Sequence, residues 1–586
     1  TWNRALIKLD DRNPMLSNSY NFKREYATRS FNTVYASFDI WKGIKFASTF
    51  SYDFVMNKSR AWKDPRTSDG DDDNGRFSKD YNDITNMTWS NILTYQTKIK
   101  KKHNLDLLVG YEINSKESDG LGTTISNFAR WDKPEVNNGV VYQSMGGSNS
   151  TTRIVSYITR ANYDYDNKYY LGASWRTDGS SRLARENRWG NFWSLSGAWR
   201  VSSESFMKPL QNWLSDLKLR VSYGVNGTLP SSYYGYMGLS SLTSNYNDNP
   251  GITQSQLENK ELTWETNYNF NSGIDLGFFD NRLNVTFEYY VRTTKNLLYS
   301  RPLSLATGFS SYLANIGKLQ NKGYELEIRS TNIETKDFRW STSLNLGHNA
   351  NKILKLDGDL KQVTSGTSIH KVDLPYSTYY MIEFAGIDPV DGEPMFYKNT
   401  TDENGNLNKE TTKDPRSAEK VILQCADPTI TGGLGNSISY KWFDLNFNVN
   451  FSFGAWNYDG SASKLEHGGD GTLNIPIYYR KRWQKEGDET SIERFVVGRS
   501  ISMTDYATTR RLYSGDYVRL KNLTFGFTLP KTWTRKVGID NIRLYASGNN
   551  LLTWAAYDYI DPESGSSPSW DTPPMRTYTF GLEVKF

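Results

Sequence analysis

The chain has 586 residues, with 39 Tyr, 27 Phe and 18 Trp, yet only 37% of it is hydrophobic and its mean hydropathy is −0.66. Such a chain is too aromatic for disorder, and no run approaches the roughly 20 consecutive apolar residues of a spanning helix, which excludes a bundle of membrane helices. Its 69 basic and 64 acidic residues leave no nucleic-acid footprint.

In chain order, the first predicted strands are 29–40 and 43–57, joined by the tight turn WKG. The loop 58–86 follows and carries DGDDDNGRFSKD at 69–80. Asp69, Asp71 and Asp73 sit at alternate positions there and Asp80 at the twelfth, a spacing used by calcium loops. Asn74 and Asp80 stand where such a loop wants Gly and Glu, so a solvated acidic loop is the competing reading and calcium is the one cofactor the sequence suggests.

Strands 87–99 and 103–115 flank the basic turn in KIKKKH, and a loop over 116–150 leads to strands 151–165 and 168–177 across DNK. RTDGSSR, 176–182, reads first as a turn, because Gly supplies positive φ and Asp and Ser cap backbone, and second as a substrate contact. Strand 190–200 precedes SESFMKPLQNWLSDL, predicted to hold a short helical turn, and strand 216–226 follows. The loop 227–261 contains Tyr233, Tyr234 and Tyr236.

Strands 262–278 and 282–298 flank FDNR, and 321–331 and 337–353 follow. The longest loop, 354–428, is predicted to hold a short strand pair within 376–398, with Tyr379 and Tyr380, and also the single cysteine, Cys425. Strands 429–440 and 443–455 flank KWF; the loop 456–515 opens with Trp456 and Tyr458. Strands 516–529, 541–553 and 574–586 complete a set of about seventeen, with Tyr557, Tyr559 and Trp570 before the last. Such aromatics can pack on a sugar face or a peptide side chain; an interfacial girdle or packing between loops is the alternative.

Several strands alternate cleanly. Leu445, Phe447, Val449, Phe451 and Phe453 interleave with Asn446, Asn448, Asn450 and Ser452, and Leu283, Val285, Phe287, Tyr289 and Val291 interleave with mostly polar neighbours. One face meets something apolar and the other something wet. Tight turns alternate with long loops, which is the signature of an all-β transmembrane antiparallel barrel with short periplasmic turns and long extracellular loops. Bacterial barrels have an even strand count. The odd count therefore predicts that residues 1–28 belong to an external loop, that 29–586 is the C-terminal part of a barrel, and that further strands precede it.

Neither the four scattered histidines nor Cys425 offers a ligand spacing, and no nucleophile elbow occurs, so no catalytic role is expected. From about residue 150 the chain resembles the SusC/RagA-type TonB-dependent transporters of Bacteroidetes. The resemblance is carried by NKYYLGASWRTDGSSRLARENRWGNFWSLSGAWRVSSESF (167–206), LSDLKLRVSYGVNG (214–227), the run from LTWETNYNF (262–298), NIGKLQNKGYELEI (315–328) and FAGIDPVDGEPMFY (384–397). DYVRLKNLTFGFTLP (516–530), IRLYASGNNLLTW (542–554), YIDPESG (559–565) and MRTYTFGLEVKF (575–586) follow in the family's order.

The resemblance implies a barrel of about 22 strands, with a plug domain and about five strands lying before this chain and coupling to the TonB complex made through that missing part. It further implies outer-membrane lipid around the barrel, energised import of oligosaccharides or oligopeptides, a SusD-like surface lipoprotein as lid, and a dimer of transporter-lipoprotein units. The competing readings are a passive outer-membrane porin or receptor and a surface β-rich glycan-binding protein.

Overall fold

The computed structural model describes residues 14–586 apart from 244, 248, 357, 359, 403–404, 470–474, 498–505 and 565–573. Among the described residues, seventeen strands form one antiparallel sheet. They are β1 (Phe22–Trp41), β2 (Ile44–Lys63), β3 (Arg76–Ile99), β4 (His103–Phe128), β5 (Gly139–Tyr165), β6 (Tyr169–Ser180), β7 (Trp189–Arg200), β8 (Leu214–Thr228) and β9 (Glu265–Phe278). The set continues with β10 (Leu283–Lys295), β11 (Lys318–Glu334), β12 (Phe338–Lys355), β13 (Ile430–Tyr440), β14 (Phe443–Phe453), β15 (Tyr517–Thr528), β16 (Asn541–Ala555) and β17 (Thr577–Lys585). Among the described residues no helix is long and apolar enough to cross a membrane, which says nothing about crossing by strands.

Every predicted strand is present. The tight turns are formed as read: Lys100 and Lys101, Asp166 and Asn167, Phe279 to Asn281, and Lys441 all adopt positive φ, the conformation that two-residue hairpin turns require. The predicted helical turn appears as Ser205–Leu210.

The chain divides into two compact units, one running up to Gly197 and including Tyr223–Tyr268 and Thr294–Ile316, the other comprising Ala198–Ser222, Asn269–Thr293 and Gly317–Phe586. In the first, β1 to β6 pair in chain order, and the registers set rows of like character. Phe50, Trp89, Ile113 and Val155 share one face; Ser90, Glu112, Ser156 and Asp178 share the other.

Three expectations shift in this unit. The first strand begins at Phe22 rather than 29, after a helix at Pro14–Tyr20, so part of the predicted external segment 1–28 is strand; residues 1–13 lie outside the described residues. The predicted loops 58–86 and 116–150 are largely paired strand, since β2 and β3 pair from Trp62 opposite Phe77, and β4 pairs with β5 up to Phe128 opposite Gly139. Alternation fades in those extensions because neither face must be uniformly apolar there, and backbone pairing leaves no trace in composition. A small apolar core of Trp62, Phe77, Ile125 and Phe128 secures the far end instead.

The third shift concerns Asp178-Gly179. It lies inside β6, not in a turn; the chain reverses over residues 181–188, closed by Ser180 N–H donating to the Arg188 carbonyl at 3.1 Å. Asp178 is buried, where Arg176 Nε reaches both its oxygens at 2.7 and 2.9 Å. A Cβ on Gly179 would stand 2.9 Å from the Trp189 ring, so this glycine answers to packing across the hairpin.

In the second unit β11 to β17 again pair in chain order. Two of its connections carry additional small sheets. Between β12 and β13, Gln362–Ser365, Ser368–Lys371, Thr378–Ile382 and Lys420–Cys425 form one, and Phe384–Ile387, Pro394–Tyr397 and Thr411–Thr412 another. Trp456–Tyr458 pairs with Leu512–Ser514 across the β14 to β15 connection. The pair expected within 376–398 is Phe384–Ile387 with Pro394–Tyr397.

Candidate functional site

The wall of β11 to β14 is built by register. Because directly paired residues project to one face, Arg329, Ser343, Gly435 and Asn448 form a row; Glu327, Asn345, Gly433 and Asn450 form the next, and Glu325, Gly347, Thr431 and Ser452 a third. The opposite face carries Ile328, Leu344, Leu434 and Val449. One sheet thus presents amides, hydroxyls, carboxylates and bare glycine backbone on one side and aliphatic side chains on the other.

The polar side encloses a concavity of about 600 Å³ lined by Thr286, Glu288, Glu325, Asn345, Asn450 and Tyr517 among others. A second, of about 330 Å³, is lined by Arg282, Asn284, Ser330, Ser341 and Asn446. Arg220 fixes one edge by donating to Asp275, 3.2 Å from Nε, and to Glu288. This surface can hydrogen-bond a polar solute.

Above β14 and β15 the connection closes on a buried ionic cluster. Arg511, 2% exposed, donates from Nε to Glu466 Oε2 and from Nη2 to the Glu466 carbonyl, both at 3.3 Å. Arg510 donates to Glu493, which also accepts from Tyr479 Oη at 3.2 Å; Tyr478 donates to Glu466. Burying such charges is tolerable only in hydrogen-bonded pairs. Burial, reinforced by the adjacent carboxylates, pushes the Tyr478 and Tyr479 phenols far above their ordinary range and keeps them as donors.

Asp459 extends the cluster. It accepts from Ser461 and Ala462 N–H at the start of the helix Gly460–Leu465 and from Tyr557 Oη at 3.0 Å, and the Tyr557 ring stacks on Tyr513 at 3.8 Å. The loop following β16 is held by Arg519, also 2% exposed, which donates to Asp561 at 2.6 Å, Glu563 at 2.7 Å and Thr553 Oγ1 at 3.0 Å. Arg519, Asp561 and Glu563 fall within the stretches DYVRLKNLTFGFTLP and YIDPESG, but their pairing is not readable there; of the cluster of Glu466, Glu493, Arg510 and Arg511 the sequence shows only the adjacent arginines, whose partners are 45 and 17 positions away.

The aromatics singled out by sequence mostly join loop to loop. Tyr379 is buried with Met381 and Leu512, its hydroxyl accepts the Tyr458 N–H at 3.2 Å, and Trp456 and Tyr458 pack against the same cluster. Tyr380 is half-buried. Tyr233 lies under the Arg182 guanidinium at 4.4 Å, Tyr234 Oη accepts the Thr151 N–H at 3.0 Å, and Tyr236 packs on the core of Leu183 and Leu262. Trp570 lies outside the described residues.

The four aspartates do not converge. Asp69 accepts from Ser17 Oγ at 3.3 Å and Asn21 Nδ2 at 3.2 Å, Asp71 sits in a backbone turn, Asp73 pairs with Arg76 at 3.4 Å, and Asp80 lies in β3 opposite Ser59 and Gly122. Among the described residues no three His, Cys, Asp or Glu side chains gather to hold a metal. The calcium spacing therefore spans a loop and a strand rather than one turn. Cys425 ends the strand Lys420–Cys425, half-buried, its sulfur accepting the Asp427 N–H at 3.3 Å.

The family described as TonB dependent receptor-like, beta-barrel, matches residues 2–551. TonB-dependent receptor P3 of Formosa agariphila is 32% identical over 94% of this chain and 57% of its own length. TonB-dependent receptor SusC of Bacteroides thetaiotaomicron is 30% identical over 74% of this chain and 44% of its own. Among solved structures, that of the RagAB peptide transporter superposes with a TM-score of 0.87 at 26% identity, covering 97% of this chain and 63% of that one. The chain thus spans only about half to two thirds of the length of these relatives. A sheet with one polar and one aliphatic face, tight turns alternating with elaborated connections, and a match that runs almost end to end agree: the chain belongs to the TonB-dependent receptor-like β-barrel family, in its SusC/RagA branch.

Proposed function

We propose that this chain is the barrel portion of an outer-membrane importer that takes up a large polar nutrient, an oligosaccharide or an oligopeptide, in a TonB-dependent manner. The observation that carries the reading is the two-faced sheet. Its aliphatic rows are suited to lipid, and its rows of Asn, Ser, Thr and Glu line concavities of a size that admits several sugar or peptide units. The RagAB peptide transporter as a relative supports the peptide class, and rows of amides, hydroxyls and carboxylates suit a glycan equally.

A SusD-like lipoprotein would seat on the connections between β12 and β13 and between β14 and β15, whose ionic and aromatic cores give them the rigidity a lid platform needs, and two transporter-lipoprotein units would pair. Transport rather than catalysis is the function proposed. Uptake of defined glycans and defined oligopeptides by cells carrying the complete protein and its lipoprotein tests the reading. Import of one class that stops without TonB is expected; import of neither overturns it, and import that persists without TonB favours a passive porin.

A further inference from the structure

The aliphatic face of β11 to β14 has two borders. Beside the tight turns it ends in the paired series Phe338, Tyr440 and Phe443, and at the other end in Tyr324, His348, Ile430 and Phe453. The Tyr324 ring lies 4.8 Å from that of His348 and 6.4 Å from that of Phe287, and Tyr324, Ile430 and Phe453 are exposed. From Phe338 to His348, β12 rises about 25 Å, at about 3.4 Å per residue and a barrel strand's tilt of about 40°. That is the height of the apolar band of an outer-membrane barrel, with an aromatic girdle at each border.

Beyond the upper girdle β11 and β12 continue toward the elaborated connection to β13, and every charged side chain they place on this face is a lysine. Lys322 stands opposite Ala350, Gln320 opposite Lys352, and Lys318 opposite Lys355. Lys322, Lys352 and Lys355 are exposed and Lys318 is half-buried. Lys352 pairs with the exposed Asp373 at 2.7 Å; among the described residues the other three lysines form no ion pair. Like charges directly opposite one another destabilise a sheet, and an anion shared by Lys318 and Lys355 relieves that repulsion. The surplus is local to this end of the two strands, since at the other end Glu334 pairs with Arg339 at 3.8 Å.

Position and spacing select the occupant. The lysines project from the same face as the apolar band and immediately above it, at the level of lipid headgroups, and not from the face whose concavity is lined by Glu325, Asn345 and Asn450. Cross-strand neighbours stand about 5 Å apart and successive rows about 7 Å, so a phosphorylated headgroup can engage more than one ammonium group. A basic cluster at a bilayer surface attracts anionic lipid.

Resting on the reading that the aliphatic face meets lipid, we propose that Lys318, Lys322, Lys352 and Lys355 bind the phosphate groups of lipid in the outer leaflet and so hold a phosphorylated lipid against β11 and β12.

The test uses the complete protein with its lipoprotein in phosphatidylcholine vesicles that contain a trace of chain-spin-labelled phosphatidic acid or, in parallel, of chain-spin-labelled phosphatidylcholine. The motionally restricted part of the spectrum reports lipid held on the protein. Phosphatidic acid is expected to be preferred about fivefold, the factor that one ammonium near an anionic surface supplies. The preference is expected to fall toward unity when Lys318, Lys322, Lys352 and Lys355 are all replaced by Gln, and to survive when all four are replaced by Arg. It should also survive Lys336→Gln combined with Lys441→Gln at the tight turns. Heat-modifiable gel mobility shows that each variant is folded. Restricted phosphatidylcholine with no preference for phosphatidic acid, or a preference that the four Gln substitutions leave unchanged, overturns the lysine cluster as a lipid site and leaves the lipid-facing reading standing. No restricted lipid of either kind overturns both. A preference abolished by inorganic phosphate, against chloride at the same ionic strength, overturns lipid as the source of the phosphate. One that appears only after the lipoprotein is removed overturns lipid as the occupant in the complex.

Discussion

Gly392 shows how a single residue in a recognisable motif does structural work that the motif alone does not disclose. It has φ +71°, and a Cβ there would stand 2.5 Å from the Trp483 ring. Trp483 Nε1 and Gly487 N–H both donate to the Pro389 carbonyl, at 3.0 and 2.8 Å, and Arg494 N–H donates to the Gly392 carbonyl at 3.0 Å. The stretch GIDPVDGEP is thus a receptor for the segment 480–494. Gly392→Ala is expected to weaken that docking by about 1–3 kcal/mol through backbone strain and the clash, making 484–491 sensitive to protease; Trp483→Ala should expose the same bonds, and the double variant should add little, since both act on one contact.

Arg519 makes the corresponding case for a buried charge. Replacing it with Met leaves Asp561 with no cation at this contact, while Glu563 keeps Lys521 at 2.6 Å. Breaking a buried pair from one side costs about 3–5 kcal/mol, and the retained lysine brings the expectation to the lower end. Amide hydrogen exchange at 559–563 should quicken in Arg519→Met and remain slow in Lys521→Met, whose ammonium is the more exposed partner.

At the scale of elements, the hairpin of Phe384–Ile387 and Pro394–Tyr397 is pinned by Lys413 Nζ, 2.6 Å from Asp388 and 2.7 Å from Asp391. The hydrogen bond from Lys413 holds both carboxyls below the ordinary carboxylate range, and the two carboxylates hold the ammonium above the ordinary lysine range. A depressed carboxyl contributes stability that is fully present above its unfolded value, about 3.9, and is lost as pH falls through the lower folded value. A raised lysine contributes below about 10.4 and loses that contribution as pH rises further. The hairpin should therefore stay docked from about pH 5 to 9 and loosen first in acid. Hydrogen exchange at 384–397 measured from pH 3 to 8 checks this, and Lys413→Met should abolish the acid-side change.

Elements differed in how legible they were. Strands such as β14 announce themselves because Leu445 to Phe453 must satisfy two unlike surroundings in strict alternation, and the Lys-Lys and Asp-Asn turns because few residues accept their conformations. The far halves of β3, β4 and β5 carry no such constraint: their pairing is made by backbone, which every sequence supplies. Asp178-Gly179 misled for a related reason, since glycine is called for equally by a turn and by an indole lying against the strand. The ionic cluster of Arg510, Arg511, Glu466 and Glu493 was invisible because its members are brought together by loops whose course depends on the cluster itself.

For the whole molecule, the two faces reconcile a polar average composition with an abundance of aromatics. Only alternate residues of each strand need be apolar, and the elaborated connections dilute them further. Leu344 and Asn345 are neighbours on β12 that project to opposite faces, Leu344 in the row with Ile328 and Leu434 and Asn345 in the row with Glu327 and Gly433. If the aliphatic face meets lipid, Leu344→Arg places a charge in hydrocarbon and should cost about 2–4 kcal/mol near the bilayer midplane, whereas Asn345→Arg enters a wet wall beside Glu327 and should change stability far less. Urea unfolding of the complete protein in lipid vesicles, read alongside its heat-modifiable gel mobility, distinguishes them. Equal losses for the two variants would mean that the faces are assigned wrongly, and a larger loss for Asn345→Arg would mean that they are reversed.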